Sequence, residues 1–320
     1  MSIVRALFIA VTLLSVLPVV SADDEPGHSR HGAAFDSGLR QRPWHMEGIG
    51  KTHFPITTKV PEVQEWFDQG NTLLHSFWYE EAERSFRWCL KLDPECAMAY
   101  WGLARCGSIR APDQKRYAEF LKESVRRKER VSPRERMYIE AWEAAYNGDV
   151  KEHEKELAKR LQQIVLKYPE DVEAKALFAL HYLGEGNAYG TELVLQQILA
   201  KEPDHPGAHH YRIHNWDGVA PEEAIRSCER YGVVAPNIGH AAHMPGHIYS
   251  KVGMWHEAAR AMESATRVEL RYMNERLALP FETWNYAHNR NYLCYIQEQL
   301  GMPEASLQGA RNLLAAPRDP

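Results

Sequence analysis

The chain has 320 residues, a quarter of them charged, and a formal net charge of −5 at pH 7. Its acidic and basic residues are interspersed, and the basic run at 126–130 lies among glutamates. This pattern is typical of a solvated helix face and argues against a nucleic-acid-binding protein. Five cysteines are too few and too scattered for a disulfide scaffold. Cys96 and Cys106 can pair in an oxidising compartment, or most of the cysteines are small core residues.

The first 22 residues have the composition of a secretory signal peptide. Arg5 precedes an apolar run from Ala6 to Val20, and the small residues Ser21 and Ala22 follow it. We expect cleavage after Ala22 and export to the periplasm or the extracellular space. The alternative is an uncleaved membrane anchor. No later apolar run is long enough to span a bilayer, so we expect no membrane association after cleavage.

Residues 23–60 have no hydrophobic period, and we expect an extended, flexible segment there. Residues 61–310 have helical periodicity, and residues 311–320 are expected to be a tail. The first repeat carries tetratricopeptide repeat (TPR) landmarks, namely a large residue, a small residue, Ala, an aromatic residue and Pro. These residues are Trp66, Gly70, Ala82, Phe86 and Pro94. The sequence therefore predicts an all-α, TPR-like helical-repeat solenoid built of antiparallel helix pairs.

The period is clearest in the second half of the chain, where Pro169, Pro203 and Pro236 are spaced by 34 and 33 residues. A first helix is expected after each proline, and a second helix should complete each repeat. The first helices are predicted at 172–183, 206–216 and 238–252, and the second helices near 191–201, 221–231 and 255–268. A last repeat is predicted from about Trp284, with a turn at residues 301–303.

Histidines are concentrated in one stretch, because half of the sixteen lie between Pro203 and Ala259. The segments HHYRIH (209–214) and HAAHMPGH (240–247) each contain two histidines four residues apart, His210 with His214 and His243 with His247. On a helix this spacing places both rings on one face, one turn apart. The pairs occupy the same positions in successive repeats, and these positions line the concave groove of a TPR fold.

We therefore expect these four histidines to surround one metal ion, with His288 or His240 nearby. Neutral imidazole binds zinc, copper, nickel and iron, so the identity of the transition metal stays open. A polar groove whose histidines bond to Tyr, Asn and each other is the alternative. His75, in the first repeat, is expected far along the solenoid from this site. The residues expected to support the ligands are Tyr211, Asn215, Asp217, Tyr249, Glu282, Asn285 and Asn289.

Two features limit a catalytic interpretation. Neither pair is HExxH, because Tyr211 and Met244 stand where a metalloprotease has its glutamate base. A base would have to come from Glu282, Asp217 or Glu185. Pro245, which lacks an N–H, is expected to kink or restart the helix between His243 and His247.

Several longer segments resemble a widespread group of bacterial TPR proteins with HxxxH motifs. They are HFPITT (53–58), LDPECAMAYWGLA (92–104), EPDHPGAHHYRIHNWD (202–217), GHAAHMPGHIYSKVGMWHEA (239–258) and YAHNRNYL (286–293). The resemblance spans most of residues 51–300 and implies the TPR fold, but the group has no agreed biochemical role. The group's pattern near the end resembles YxHNxHFL, and Asn291 replaces its second histidine here.

Two function classes follow from the sequence. One is a scaffold whose concave groove binds a protein, a peptide or a small ligand. The other is a metalloprotein whose groove holds the ion, which can serve a hydrolase or an oxidoreductase by activating water or oxygen. Our sequence-based prediction combines them as an exported TPR protein with a His-rich metal site in its groove, with catalysis left open.

Overall fold

The structure is a computed structural model and describes Phe35 and residues 41–107, 114–147, 152–183 and 187–318. Residues 39–320 form one compact unit. The described residues form fourteen α-helices and no strand. The helices are α1 (Pro61–His75), α2 (Tyr79–Leu92), α3 (Ala97–Cys106), α4 (Gln114–Arg126), α5 (Pro133–Asn147), α6 (His153–Lys167), α7 (Val172–Tyr182), α8 (Ala188–Lys201), α9 (Pro206–Asp217), α10 (Ile225–Val234), α11 (Gly239–Lys251), α12 (Trp255–Arg276), α13 (Trp284–Gln299) and α14 (Pro303–Leu314).

Each helix packs against the next one along the chain, as in a TPR-like solenoid, so the predicted all-α repeat fold is confirmed. Two of the repeat landmarks, Gly70 and Phe86, pack directly against each other. A Cβ at Gly70 would lie 2.7 Å from the Phe86 ring, and a Cβ at Gly102 would lie 2.6 Å from it. Glycine in α1 and in α3 thus lets both helices approach the same aromatic ring of α2.

Two predicted helices differ from the observed ones. The helix predicted at 221–231 begins as a short 3₁₀ turn (Pro221–Ala224) and continues as α10 to Val234. The helix predicted at 255–268 runs eight residues further, to Arg276. The extra turns of α12 pack on the first repeat, where the Tyr272 hydroxyl donates to Glu81 at 2.6 Å. A contact between distant repeats therefore lengthens α12 beyond its repeat period.

The described part of the N-terminal segment, residues 41–60, has no helix and lies against the helical domain. The hydroxyls of Thr52 and Thr72 are 2.9 Å apart, which joins the segment to α1. Phe54 is fully buried against the rings of Phe67 and Tyr138. These contacts anchor the extended segment. The predicted signal peptide, residues 1–22, lies outside the described residues.

Two later helices, α9 and α10, contact the C-terminal end of α1 in the first repeat. The His75 ring at the end of α1 is 2.7 Å from the Tyr211 hydroxyl of α9, and the hydroxyl of Tyr231 in α10 donates to Ser76 at 3.1 Å. The expectation that His75 lies far along the solenoid is therefore wrong. The superhelical path returns later repeats to the first one, which the repeat period alone does not show.

Two further expectations concern cysteines and membranes. All five cysteines are buried free thiols, and Cys96 is not paired with Cys106. Burial raises the pKa of the Cys96 thiol to about 12, so the thiol is protonated and uncharged at neutral pH. Cys96 is therefore a small core residue. None of the helices in the described ranges is long and apolar enough to cross a membrane.

Candidate metal centre

Three helices supply the clustered histidines. His205 is the N-cap of α9, and its ring accepts a hydrogen bond from the Ala208 N–H at 3.0 Å. The spacing of four residues on this helix points His210 and His214 to the same side, one turn apart. The remaining clustered rings come from α11, which carries His240, His243 and His247, and from α13, which carries His288.

Pro245 does not interrupt α11, which runs unbroken from Gly239 to Lys251. The first turn of the helix is held by burial of Gly239, His240 and Ala241, so tertiary packing overrides the missing N–H. The expected restart of the helix, which would separate His243 from His247, is therefore absent. Their Nε2 atoms lie 2.9 Å apart.

The first cluster, here called triad A, consists of His210, His214 and His240. The Nε2 atom of His210 lies 2.9 Å from that of His240 and 3.0 Å from that of His214. His210 and His240 are buried and His214 is half-buried. Triad A thus draws two rings from α9 and one from the first turn of α11.

The second cluster, triad B, consists of His243, His247 and His288. The Nε2 atom of His247 lies 2.9 Å from that of His243 and 3.2 Å from that of His288. His243 is buried, whereas His247 and His288 are partly exposed. Triad B is therefore the more accessible of the two.

The expected set of four histidines around one ion is thus divided between two triads. The reason is that α11 packs against both α9 and α13. His240 at its start meets the α9 pair, and His243 and His247 meet the ring that α13 provides. His240 and His288, expected only near the site, each complete one triad.

Burial controls the protonation of all six rings. It lowers the pKa of His214 and His247 to about 4 each, and that of His210, His240 and His243 well below the ordinary value. The pKa of His288 is also lowered by burial. The imidazoles are therefore neutral at pH 7, which is the form that binds a metal.

The His210 ring decides what can lie between the rings of triad A. Its Nδ1 is 2.6 Å from the backbone oxygen of His75, which only accepts, so Nδ1 carries the proton. Nε2 of this neutral ring then has one in-plane lone pair, yet it faces two neighbouring nitrogens, those of His214 and His240. Only one of them can donate to it. A cation at the centre of the triad would satisfy all three nitrogens.

The residues expected to support the ligands lie in several places. The Tyr211 hydroxyl bonds to His75, and the Asn215 amide donates to the Ala188 carbonyl at 2.8 Å. Tyr249 packs in the core beside α12. Glu282 is exposed and accepts from the Leu279 N–H at 2.6 Å. Glu185 lies outside the described residues.

Three other expected residues do lie at the triads. The His240 Nδ1 is 3.4 Å from Asn285 Oδ1, a contact that favours the proton on Nδ1 and leaves the ring's lone pair on Nε2. Asn289 is buried beside His243 and acts to raise its pKa, although their geometry falls short of a hydrogen bond. The charge of Asp217 likewise acts to raise the pKa of His214 and of His247.

Sequence analysis missed two residues beside triad A. Phe77 lies over it, with its ring centroid 4.4 Å from that of His210, and its φ of 57° is in the left-handed region. A bulky residue is strained there, and such strain often accompanies functional sites. Glu269 is buried next to Asn285, and burial raises its pKa to about 7. Neither residue belongs to a motif, because both reach the site through the tertiary fold.

A third group, formed by His75, Glu173 and His205, is fully buried but has its hydrogen bonds satisfied. Both nitrogens of His75 have partners, the Tyr211 hydroxyl at 2.7 Å and a Glu173 oxygen at 2.8 Å. Because His205 Nδ1 accepts from Ala208, its Nε2 carries the proton and donates to Glu173 at 3.3 Å. This group needs no ion, and it holds the His75 carbonyl that orients His210.

Comparisons with known proteins concern the fold only. No family model matches the chain, and no curated protein matches it. Residues 41 to the end of MamA from Desulfovibrio magneticus RS-1 align with a TM-score of 0.45 and 12% identity, covering 54% of this chain and 91% of that one. PilW, a widely conserved type IV pilus biogenesis factor, aligns with a TM-score of 0.41 and 13% identity, covering 80% and 94%.

The fold and the clusters together define a class: a TPR-like helical-repeat protein with two histidine triads. The MamA and PilW likenesses carry no conclusion about what the chain binds.

Proposed function

We propose that this chain is a metalloprotein that binds two transition-metal ions, one in each histidine triad of a TPR-like solenoid. The observation that carries the proposal is in triad A, where the single lone pair of His210 Nε2 faces the Nε2 atoms of His214 and His240 and only one of them can donate to it. Triad B supports it with the same pattern, because Nε2 of His247 also faces two ring nitrogens.

The donor sets suit first-row transition metals. Imidazole nitrogen is a common ligand of zinc, copper and iron, and neither triad contains a thiolate or a carboxylate. Ligands about 2.0–2.1 Å from zinc would lie roughly 2.9–3.4 Å from each other, depending on the bond angle. The observed separations of 2.9 to 3.2 Å fit this range. Three protein ligands also leave a coordination position for water or a substrate.

The two triads differ in how an incoming molecule would reach them. Phe77 covers triad A, whereas His247 and His288 of triad B are partly exposed beside Tyr292, whose ring centroid is 4.4 Å from that of His247. We therefore propose that exchangeable ligands reach triad B more readily. A metal there would supply Lewis acidity toward a bound water or oxygen, as in a hydrolase or an oxidoreductase. We propose this enzymatic role for triad B in addition to metal binding.

Metal analysis tests the proposal. Residues 23–320, produced without a His tag and supplied with equal amounts of zinc, copper and iron, are expected to retain about two equivalents of metal per chain. The double variant His210→Ala with His240→Ala should lose the triad A ion, and His243→Ala with His288→Ala the triad B ion. The exposed His256→Ala is the matched control and should keep both.

The alternative is a protein- or peptide-binding scaffold whose histidines line the groove without a metal. It predicts no bound metal in the folded wild-type chain, and this result would contradict our proposal. Circular dichroism should show helix content close to wild type in each double variant, so that a lost ion is not mistaken for a lost fold. The partner of such a scaffold would be a protein, a peptide or a small ligand.

We also propose that the chain belongs to the exported TPR group that its motifs resemble, and that it acts in the periplasm or outside the cell. The support is the signal-peptide composition of residues 1–22. Mass spectrometry of the protein expressed from its full sequence in a bacterial host should find a mature chain beginning at Asp23. An intact N-terminus in the cytoplasmic fraction would contradict export.

A further inference from the structure

Phe77 closes one side of triad A. Its ring centroid lies 4.4 Å from that of His210 and 5.7 Å from those of His214 and His240. The three imidazole centroids are themselves 4.8, 4.7 and 6.0 Å apart. With these distances, the phenyl ring lies over the triangle of the imidazoles and not beyond one of its edges. Phe77 is half-buried and therefore separates this side of the triad from solvent.

The backbone holds this ring in place at a conformational cost. Phe77 lies in the turn between α1 and α2 with a φ of 57°, in the left-handed region that disfavours a bulky residue. Glycine or asparagine would adopt this φ with less strain, yet the turn holds a phenylalanine. The ring also stacks on that of Tyr79, with an interplanar angle of 9°. The turn thus presents an apolar ring to the three histidines.

The cover limits how many ligands an ion in triad A can have. Within the described part of the chain, no fourth histidine, cysteine or carboxylate joins this triad. A fourth ligand would therefore be a water, and a phenyl ring neither binds a metal nor accepts a strong hydrogen bond from a bound water. Zinc is almost always four-coordinate in protein sites. Copper(I), with a filled d shell and one positive charge, is stable with three nitrogen ligands.

The charge of the ion favours copper(I) as well. The three ligands are imidazoles, which are uncharged in the form that binds a metal. The cost of taking an ion from water into a buried site rises with the square of its charge, so it is about four times greater for a divalent ion. Triad B begins next to triad A, because the His240 and His243 rings stack with centroids 5.4 Å apart. A single charge in triad A therefore also reduces repulsion between two bound ions.

We infer that triad A is a three-coordinate site for copper(I), and that Phe77 selects this ion by excluding a solvent ligand. The inference rests on the proposed function, since it requires triad A to bind a metal. Triad B, which is partly exposed, keeps room for a water and suits a divalent ion. Phe77 is then a specificity-determining residue and not a ligand. No electron transfer is involved, because the ion is supplied and bound as copper(I).

Competition between copper(I) and zinc tests the inference. The His243→Ala, His288→Ala chain, which keeps triad A alone, would receive one equivalent of copper(I) without oxygen and with ascorbate, and would then be dialysed against excess zinc. We expect metal analysis to find the copper retained. X-ray absorption at the copper edge should show three nitrogen neighbours.

The role of Phe77 is tested by adding Phe77→Gly to the same chain. This change removes the ring and relieves the left-handed strain, so it adds no strain to the backbone. The preference for copper(I) over zinc is expected to fall by about tenfold or more, since solvent gains access to the ion. Phe281→Gly is the matched control, because Phe281 is exposed in the turn before α13. Circular dichroism should show the same helix content in both variants.

The possible failures are distinguishable. Displacement of the copper by zinc in the chain that keeps triad A alone would overturn the inference while leaving triad A a metal site. Binding of neither ion by the folded chain would overturn the proposed function of triad A and the inference with it. An unchanged preference in the Phe77→Gly chain would overturn the selective role of Phe77.

Discussion

Replacing Glu173 with alanine is expected to lower the free energy of unfolding by about 3–5 kcal/mol, the cost of breaking a buried ionic network by removing one partner. Burial by itself would raise the pKa of Glu173, but His75 and His205 lower it well below the ordinary value, so the carboxylate is ionised. It accepts hydrogen bonds from both rings and, at 2.9 Å, from the Asn71 amide. Without it, these three buried donors lose their acceptor.

Urea unfolding followed by circular dichroism measures this effect. Glu170→Ala is the matched control, because Glu170 lies three residues earlier, is exposed and pairs with Lys201 only at the surface. Its removal should change the stability by less than about 0.5 kcal/mol. If Glu173→Ala were as mild as Glu170→Ala, the buried network would not be a stabilising element of the fold.

Metal binding is expected to stabilise the folded chain strongly, because the triads join helices that are distant in sequence. Free metal at about 1,000 times the dissociation constant contributes about 4 kcal/mol for each occupied site. For a chain of this size, one occupied site corresponds to a rise in Tm of roughly 6 °C. Differential scanning calorimetry before and after removal of the metal with a chelator measures the change.

The variant His210→Ala with His243→Ala should unfold at the same temperature with and without metal, because it removes one ligand from each triad. His256→Ala should respond to the metal like the wild type. An equal rise in Tm for the wild type and the double variant would show that the metal binds elsewhere. Binding of metal to histidines of the unfolded chain would reduce every shift, so the comparison between variants carries the conclusion.

The helices and the two HxxxH pairs were predictable because they are local features. A TPR-like helix pair depends on residues within about 34 positions of each other, such as Gly70 and Phe86, and the period repeats along the chain. The pairing of His210 with His214 depends only on the pitch of α9. These parts of the site needed no knowledge of how distant repeats meet.

The rest of the site depends on contacts between distant segments. Pattern analysis placed His240 and His288 near the site but did not show which cluster each would join. That depends on α11 packing between α9 and α13. The His75 carbonyl, 135 residues away, holds the proton on His210 Nδ1 and so leaves the lone pair on Nε2. Phe77, in the turn that follows His75, covers triad A.

The sequence by itself thus determined the helical repeats and the two histidine pairs, since both follow from interactions within a few helical turns. Only the tertiary structure decided that the pairs belong to two triads. It also decided that the His75 carbonyl and the Phe77 ring of the first repeat lie against triad A. The physical reason is that the superhelical path brings the first repeat back onto α9, α10 and α12, and this path results from many small packing angles that no single motif encodes.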